Sequence, residues 1–314
     1  MQKFSLAIHG GAGTILKSAM TPAMEREYLN GLNQSLEAGY SVLEKGGTAT
    51  AAVAAAVVVL EDNILFNAGK GSVFTKNGLH EMDAAIMSGA NRAAGAVAGV
   101  RNIRNPISLA MAVMQHSDHV LLSGSGANDF AQQQGIAMEQ DDYFYSAFRF
   151  NQWQQMVNSN DYALDHSVPL PASQEKKFGT VGAVACDTQG NIAAATSTGG
   201  MTNKQFGRIG DSPLIGIGTY ANNHTCAISC TGHGEPFIKA VAAYDVSCLV
   251  AYKEMTLAEA MHEVVMNKLP VLEGEGGIIG ADAHGNIAML FNSEGMYRGF
   301  KSSDGSGLVA IYRE

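Results

Sequence analysis

Hydroxyl-bearing residues fall in three blocks that could support nucleophilic chemistry. Gly179-Thr180-Val181-Gly182 sets a threonine at the head of an apolar run, Ala195-Thr196-Ser197-Thr198-Gly199-Gly200 closes another, and Cys230-Thr231-Gly232-His233-Gly234-Glu235 a third. A threonine hydroxyl is a poor nucleophile until a base takes its proton. A threonine at a chain terminus carries that base itself, because an α-amine with an ordinary pKa of about 7.7–8.0 is substantially neutral in a tuned site. Inside a continuous chain no such amine exists, so Thr180 could use it only after the Gly179–Thr180 bond is cut. Alone, a threonine opening a strand means little, since threonine favours strands. Between the blocks, Gly207-Arg208-Ile209-Gly210-Asp211-Ser212-Pro213 holds an arginine and an aspartate close together. A guanidinium can grip a carboxylate with two hydrogen bonds, and a carboxylate pairs with an ammonium; the plainer reading is a surface ion pair worth little.

Other chemistries find no support. The sequence has no Gly-x-Ser-x-Gly elbow, His-Glu-x-x-His pair or P-loop. Gly124-Ser125-Gly126-Ala127-Asn128-Asp129 is half a dinucleotide fingerprint and reads as a strand-to-helix turn. Cys186, Cys226, Cys230 and Cys248 form no CxxC pair, so reduced, buried thiols are expected. A net charge of −9 argues against nucleic acid as a partner. The first residues hold too short an apolar run for a signal peptide, and the longest apolar run, 49–60, is too short for a bilayer. A cytoplasmic protein without a membrane partner is expected.

The elements that must position these blocks can be traced from hydrophobic pattern and turn residues. Residues 3–9 predict a buried strand ending in a loop, His9-Gly10-Gly11-Ala12-Gly13. Thr21-Pro22 opens a helix that runs to about residue 44 and stops at Gly46-Gly47. A second helix, almost wholly Ala and Val, covers 48–62 and should be buried on most faces. Residues 81–100 read as a hairpin turning at 89–91. Helices follow at 106–116, 127–134 and 144–158. Residues 160–177 lose periodicity and read as an exposed linker. Strands are expected at 180–187, 192–198, 214–218 and 224–230, and helices at 234–251 and 257–268. Asp187-Thr188-Gln189-Gly190-Asn191 is echoed by Asp282-Ala283-His284-Gly285-Asn286, which two hairpins of like turn chemistry explain. Segregated strands and helices suit antiparallel sheets covered by helices.

Together with His9-Gly10-Gly11-Ala12-Gly13 and Phe66-Asn67-Ala68-Gly69, the three blocks and the Arg208 segment resemble the plant-type asparaginase and isoaspartyl peptidase family of N-terminal-nucleophile hydrolases. The match runs from the first strand to the last and is vaguest in the linker. It implies one α+β domain over 1–314, a four-layer αββα sandwich of two mainly antiparallel sheets. It also implies self-cleavage between Gly179 and Thr180 into an α subunit, 1–179, with a linker at about 159–179, and a β subunit, 180–314. Two such αβ pairs would assemble. By the resemblance Thr180 is the nucleophile, Thr198 tunes its hydroxyl and amine, and Asn67 orients Thr180 or a catalytic water. Thr231 and Gly232 supply oxyanion donors, and Arg208, Asp211 and Gly234 bind the zwitterionic end of asparagine or a β-aspartyl dipeptide. No organic cofactor is implied. A structural sodium ion is, held by the carbonyls of Leu60, Glu61, Asn63, Phe66, Ala68 and Lys70. His233 is expected to line the pocket and His9 to be a packed loop histidine. The rivals are a glycosylasparaginase and a non-cleaving binding protein of the same fold.

Overall fold

A computed structural model describes residues 3–157 and 179–313. Apart from Gly179, the linker expected at 159–179 lies outside the described residues. The first strand, β1 (Ser5–Gly13), is buried throughout and does not end at His9. The glycine segment continues the strand through a bulge between His9 and Gly11. The glycines mark close approach rather than a loop, for a Cβ on Gly10 would run into the Phe66 ring.

The helix α1 (Pro22–Glu44) starts where Thr21 accepts a hydrogen bond from the Met24 N–H, and α2 (Ala49–Glu61) starts the same way on Thr48. A Cβ on Gly39 of α1 would lie 2.8 Å from the Ala52 carbonyl, so glycine lets the two helices close up. The hairpin β2 (Met82–Ser88) and β3 (Ala94–Val100) is as expected. After it come α3 (Pro106–His116), β4 (Leu121–Ser123) and α4 (Gly124–Gln133), which begins three residues before its expected start. The helix expected at 144–158 is two, α5 (Asp141–Phe144) and α6 (Ala147–Met156), parted by extended backbone at Tyr145 and Ser146.

Beyond Thr180 lie β5 (Val181–Cys186), β6 (Ile192–Thr198), β7 (Thr219–Ala221) and β8 (Ala227–Gly232). The strand expected at 214–218 is absent. That segment turns repeatedly, with the Leu214 N–H donating to Asp211 and those of Ile217 and Gly218 to Leu214. The helix expected at 234–251 breaks into α7 (Gly234–Ala240) and α8 (Ala242–Lys253) at Val241, whose φ of 50° is left-handed. The next helix, α9 (Leu257–His262), opens with a Thr256/Glu259 capping box and widens into a π turn over Glu263–Lys268 before α10 (Leu269–Val271). The chain finishes with β9 (Gly276–Ala281), β10 (Ile287–Phe291), β11 (Gly295–Ser302) and β12 (Gly307–Tyr312). The two echoed turns are alike in chemistry. Asp187 Oδ1 accepts from the N–H groups of Gln189 and Asn191, and Asp282 Oδ1 from those of His284 and Asn286.

Among the described residues the strands form two sheets, ordered β12-β11-β1-β5-β6-β2-β3-β4 and β10-β9-β8-β7. Only the β3–β4 pair is parallel. Strand alternation builds two cores. Leu6, Ile8, Val181 and Ala183 join the residues of α1, α2 and α3, whereas Ala7 and Val184 join Ile228, Cys230 and Ile278 of the second sheet. The expected helix–sheet–sheet–helix sandwich results.

One buried acid strains this core. Glu61, at the end of α2, accepts from the Ser197 hydroxyl and the Ile107 N–H through Oε1, while Oε2 has no partner. Burial pushes its carboxyl up to about 8, against the pull of those two bonds. The folded state therefore holds this proton where the unfolded chain has released it, so stability present below the ordinary value of 4.5 is lost as pH rises to about 8. Glu61→Gln should flatten that limb. Thermal unfolding from pH 5 to 9 checks this, and equal slopes in both proteins would refute it.

Candidate active site

Thr180 stands just ahead of β5, in the middle of the large sheet, and is buried, as are Thr198 at the end of β6 and Asn67 beyond α2. The β5–β6 pairing sets Val181 opposite Ser197 and so brings Thr198 alongside Thr180. The Thr180 hydroxyl donates to Thr198 Oγ1 at 3.2 Å. Thr198 in turn donates to the Gly179 carbonyl at 2.9 Å and accepts from the Gly200 N–H at 3.0 Å. Asn67 Nδ2 donates to the same Gly179 carbonyl at 2.9 Å and to that of Gly200 at 2.7 Å, while its Oδ1 accepts from the Val73 N–H. Asn67 thus grips the Gly179 carbonyl, with no direct bond to the Thr180 side chain. The carbonyl oxygen before Thr180 receives two fixed donors, the arrangement that stabilises charge developing there.

Thr231 and Gly232 end β8, which packs across the sheet interface from β5. The Thr231 hydroxyl oxygen accepts from the Ala12 N–H at 3.2 Å, which leaves its own hydrogen free to donate elsewhere. Gly232 has φ 152°, and a Cβ there would stand 2.5 Å from the Glu275 carbonyl oxygen. The position admits only glycine.

Arg208, Asp211 and Gly234 come together. A Cβ on Gly234 would lie 2.9 Å from Asp211 Oδ1 and 3.0 Å from Arg208 Nη2. The expected two-pronged grip of Arg208 on a substrate carboxylate is not free, however. Its Nε and Nη2 already donate to Glu235 at 3.0 and 2.8 Å. His233 Nε2 lies 3.2 Å from the same Glu235. Burial alone would raise the Glu235 carboxyl; the His233 and Arg208 bonds outweigh it and hold it well below the usual carboxylate range. Asp211 differs. Its Oδ2 is buried without a partner, and burial pushes its carboxyl up to about 7 despite the nearby Arg208.

Sequence reasoning missed Glu235, whose role appears only when α7 folds against the Arg208 loop. It missed the fully buried Lys204, which donates to the Glu81 carbonyl at 2.7 Å. It also missed Phe206, fully exposed at φ 56° in a turn closed by the Arg208 N–H on the Gln205 carbonyl. His9 is buried as expected, but within a strand, and its ring meets Thr180.

A sandwich of two mainly antiparallel sheets between helices, with a buried threonine heading a central strand, defines the N-terminal-nucleophile hydrolase class. The chain belongs to the asparaginase family, whose sequence pattern matches residues 1–311. It is 50% identical to an isoaspartyl peptidase of Salmonella typhimurium over the full length of both chains. It is 48% identical to that of Escherichia coli, over all of this chain and 98% of the other. A probable isoaspartyl peptidase/L-asparaginase of Arabidopsis thaliana is 39% identical over 99% of this chain and all of its own.

Proposed function

We infer that the chain is a self-activating amidohydrolase that uses Thr180 to cleave β-aspartyl dipeptides and L-asparagine. The doubly held Gly179 carbonyl, with the Thr180 hydroxyl beside it on Thr198, carries this reading. In activation, Thr180 Oγ1 attacks the Gly179 carbonyl carbon. The proton passes to the Thr180 nitrogen as the amide bond breaks, leaving an ester and a free α-amine. Water then opens the ester to a Gly179 carboxylate and a terminal Thr180. Asn67 and Thr198 support the oxygen that becomes negative.

In turnover, the α-amine takes the Thr180 proton and the hydroxyl attacks the β-carbonyl carbon of the substrate. Thr231 Oγ1–H and the Gly232 N–H hold the oxyanion. The amine's proton goes to the leaving group, ammonia from asparagine or the α-amine of the next residue from a dipeptide. Water hydrolyses the β-aspartyl ester and L-aspartate leaves. Asp211 offers its unpartnered oxygen to the substrate ammonium, and Arg208, oriented by Glu235, meets the α-carboxylate through Nη1. Assaying β-aspartyl dipeptides, asparagine and N-glycosyl asparagine side by side tests the reading. Activity confined to the glycosylated compound would replace it with a glycosylasparaginase.

The Asp211 role has a pH signature. Above about 7 the free site presents a carboxylate; below it the protonated group cannot pair with an ammonium. kcat/KM should therefore fall below that value by about a further tenfold per pH unit on top of the fall set by the α-amine, and Asp211→Asn should lose that extra slope. Asp211→Asn should lower kcat/KM at pH 8 by roughly 10–10²-fold, the worth of about 1.5–3 kcal/mol for a charged hydrogen bond. A wild-type kcat/KM in that variant would remove Asp211 from recognition.

A sodium ion at the loop after α2 is part of the same proposal. A Cβ on Gly69 would stand 2.5 Å from the Glu61 carbonyl oxygen, and one on Gly71 2.7 Å from that of Ile64 and closer still to that of Phe66. Carbonyl oxygens thus crowd this turn, as a hard cation requires. The carbonyls of Asn63 and Ala68 each accept one backbone N–H and keep a second lone pair, whereas that of Leu60 accepts from both Asp62 and Asn63. With those of Glu61, Phe66 and Lys70 they would hold the ion and brace the loop that carries Asn67. Replacing sodium by tetramethylammonium should lower the thermal midpoint, and an unchanged midpoint would speak against the ion. We propose a pair of αβ units as the assembly, which light scattering checks, and a cytoplasmic setting, in keeping with four free cysteines. No helix among the described residues is long and apolar enough to cross a membrane.

A further inference from the structure

We propose that β1 is the gauge that sets the nucleophile against the oxyanion donors, with His9 and Ser229 as its positioning residues. The inference rests on the roles of Thr180 and Thr231 given above. His9 is fully buried, with Nδ1 2.9 Å from the Thr180 carbonyl oxygen and Nε2 2.9 Å from Ser229 Oγ. A carbonyl only accepts, so Nδ1 carries the hydrogen. Nε2 must then accept, and Ser229 spends its one hydrogen on it. Ser229 Oγ also lies 2.7 Å from Thr196 Oγ1, and Thr219 Oγ1 2.7 Å from Thr196 Oγ1, while Thr196 and Thr219 each face a backbone carbonyl as well, that of Gly218 at 3.2 Å and that of Ser212 at 3.1 Å. A hydroxyl network thus links β7, β6 and β8 to β1, and its last step, from Ser229 to the His9 ring and from the ring to Thr180, has a fixed direction. Burial keeps the ring neutral, its pKa pushed down to about 3.

The same strand meets β8 a second time. Ser229 and Thr231 stand two apart on β8 and so share a face. Ser229 meets His9, and Thr231 meets the Ala12 N–H. On its other side β1 pairs with β5, His9 opposite Gly182. A Cβ on Gly182 would collide with both Ser229 Oγ and His9 Nε2, so glycine is what lets the ring and the hydroxyl meet. β1 thereby fixes Thr180 and Thr231 relative to each other. The contact matters most once the Gly179–Thr180 bond is gone, because Thr180 then keeps its covalent link on one side only. A misplacement of about 1 Å can cost about 10² in rate.

Self-cleavage uses Asn67 and Thr198, neither on β8, whereas turnover needs Thr231, and this separates the proposal from general loosening. Ser229→Ala should cleave itself to completion at the wild-type rate, keep KM within about twofold, and lose kcat by about 10–10²-fold. His9→Asn, whose amide can donate from the Nδ1 position, should retain more kcat than His9→Gln, whose amide reaches only the Nε2 position. Nitrogen chemical shifts of His9 in the wild-type protein near pH 7 should report a neutral ring protonated at Nδ1. Wild-type kcat in Ser229→Ala, cleavage and kcat falling in parallel, His9→Gln matching His9→Asn, or a ring protonated at Nε2 would each overturn the gauge. Should the wild-type protein hydrolyse none of the substrates while cleaving itself, the functional reading fails instead, and the His9 spectrum still judges the geometry.

Discussion

Thr180→Ala is expected to give a folded, uncut chain with turnover reduced by roughly 10⁴- to 10⁶-fold, the loss seen when a hydrolase loses its nucleophile. Two independent losses combine in it. Without Oγ1 nothing attacks the Gly179 carbonyl, so the α-amine is never released. Without Oγ1 nothing attacks the substrate either. The fold should be little disturbed, because the hydroxyl makes a single 3.2 Å bond to Thr198 and the neighbouring Val181 keeps its place opposite Ser197. Denaturing electrophoresis should show one band where the wild-type protein shows two, the smaller fragment beginning at Thr180. Cleavage at that bond in the alanine variant would take Thr180 out of the mechanism.

Asn67→Leu should slow self-cleavage by about 10²–10³-fold, the usual cost of one oxyanion donor. Leucine is of similar size but cannot donate to the Gly179 carbonyl or accept from the Val73 N–H. The orphaned groups should also lower stability, by about 1–3 kcal/mol for each one buried. The rate of band conversion after dilution from denaturant measures the first effect, and denaturant unfolding of an Asn67→Leu/Thr180→Ala chain the second. Because Asn67 grips the bond to be cut, its effect on cleavage should exceed its effect on the kcat of protein that has finally matured. Equal losses in the two would show that it serves the mature site as much as the precursor.

Much of this was legible in the sequence because it is local. Thr21 and Thr48 cap their helices, and the Asp187 and Asp282 turns close on their own backbones, so neighbouring residues suffice to predict them. The catalytic blocks were visible as a family resemblance, since order and spacing along the chain survive without coordinates. What escaped was decided between distant segments. Val241 takes a left-handed conformation that its type disfavours, and so breaks an apolar helix no local signal would interrupt. Residues 214–218 have strand-like composition, yet they fold into successive turns while Thr219 starts the strand. Arg208 and Glu235 are 27 residues apart, and nothing in their spacing says that the guanidinium fork is already taken. His9 looked like a packing residue because its partners, Thr180 and Ser229, lie 171 and 220 residues away.

The order of the large sheet has a consequence for the life of the molecule after the proposed cut. Read across, β12 and β11 come from after the Gly179–Thr180 bond, β1 from before it, β5 and β6 from after, and β2, β3 and β4 from before. The two pieces are shuffled together like cards from two halves of a deck. Neither can leave without tearing the ladder on both sides of β1, so severing the chain frees no fragment. It also erases the only instruction that brought the halves into one volume. Once melted, the matured protein would face a bimolecular search for a partner that its precursor carried on the same thread. Its endurance is then a matter of how slowly it opens rather than how readily it re-forms.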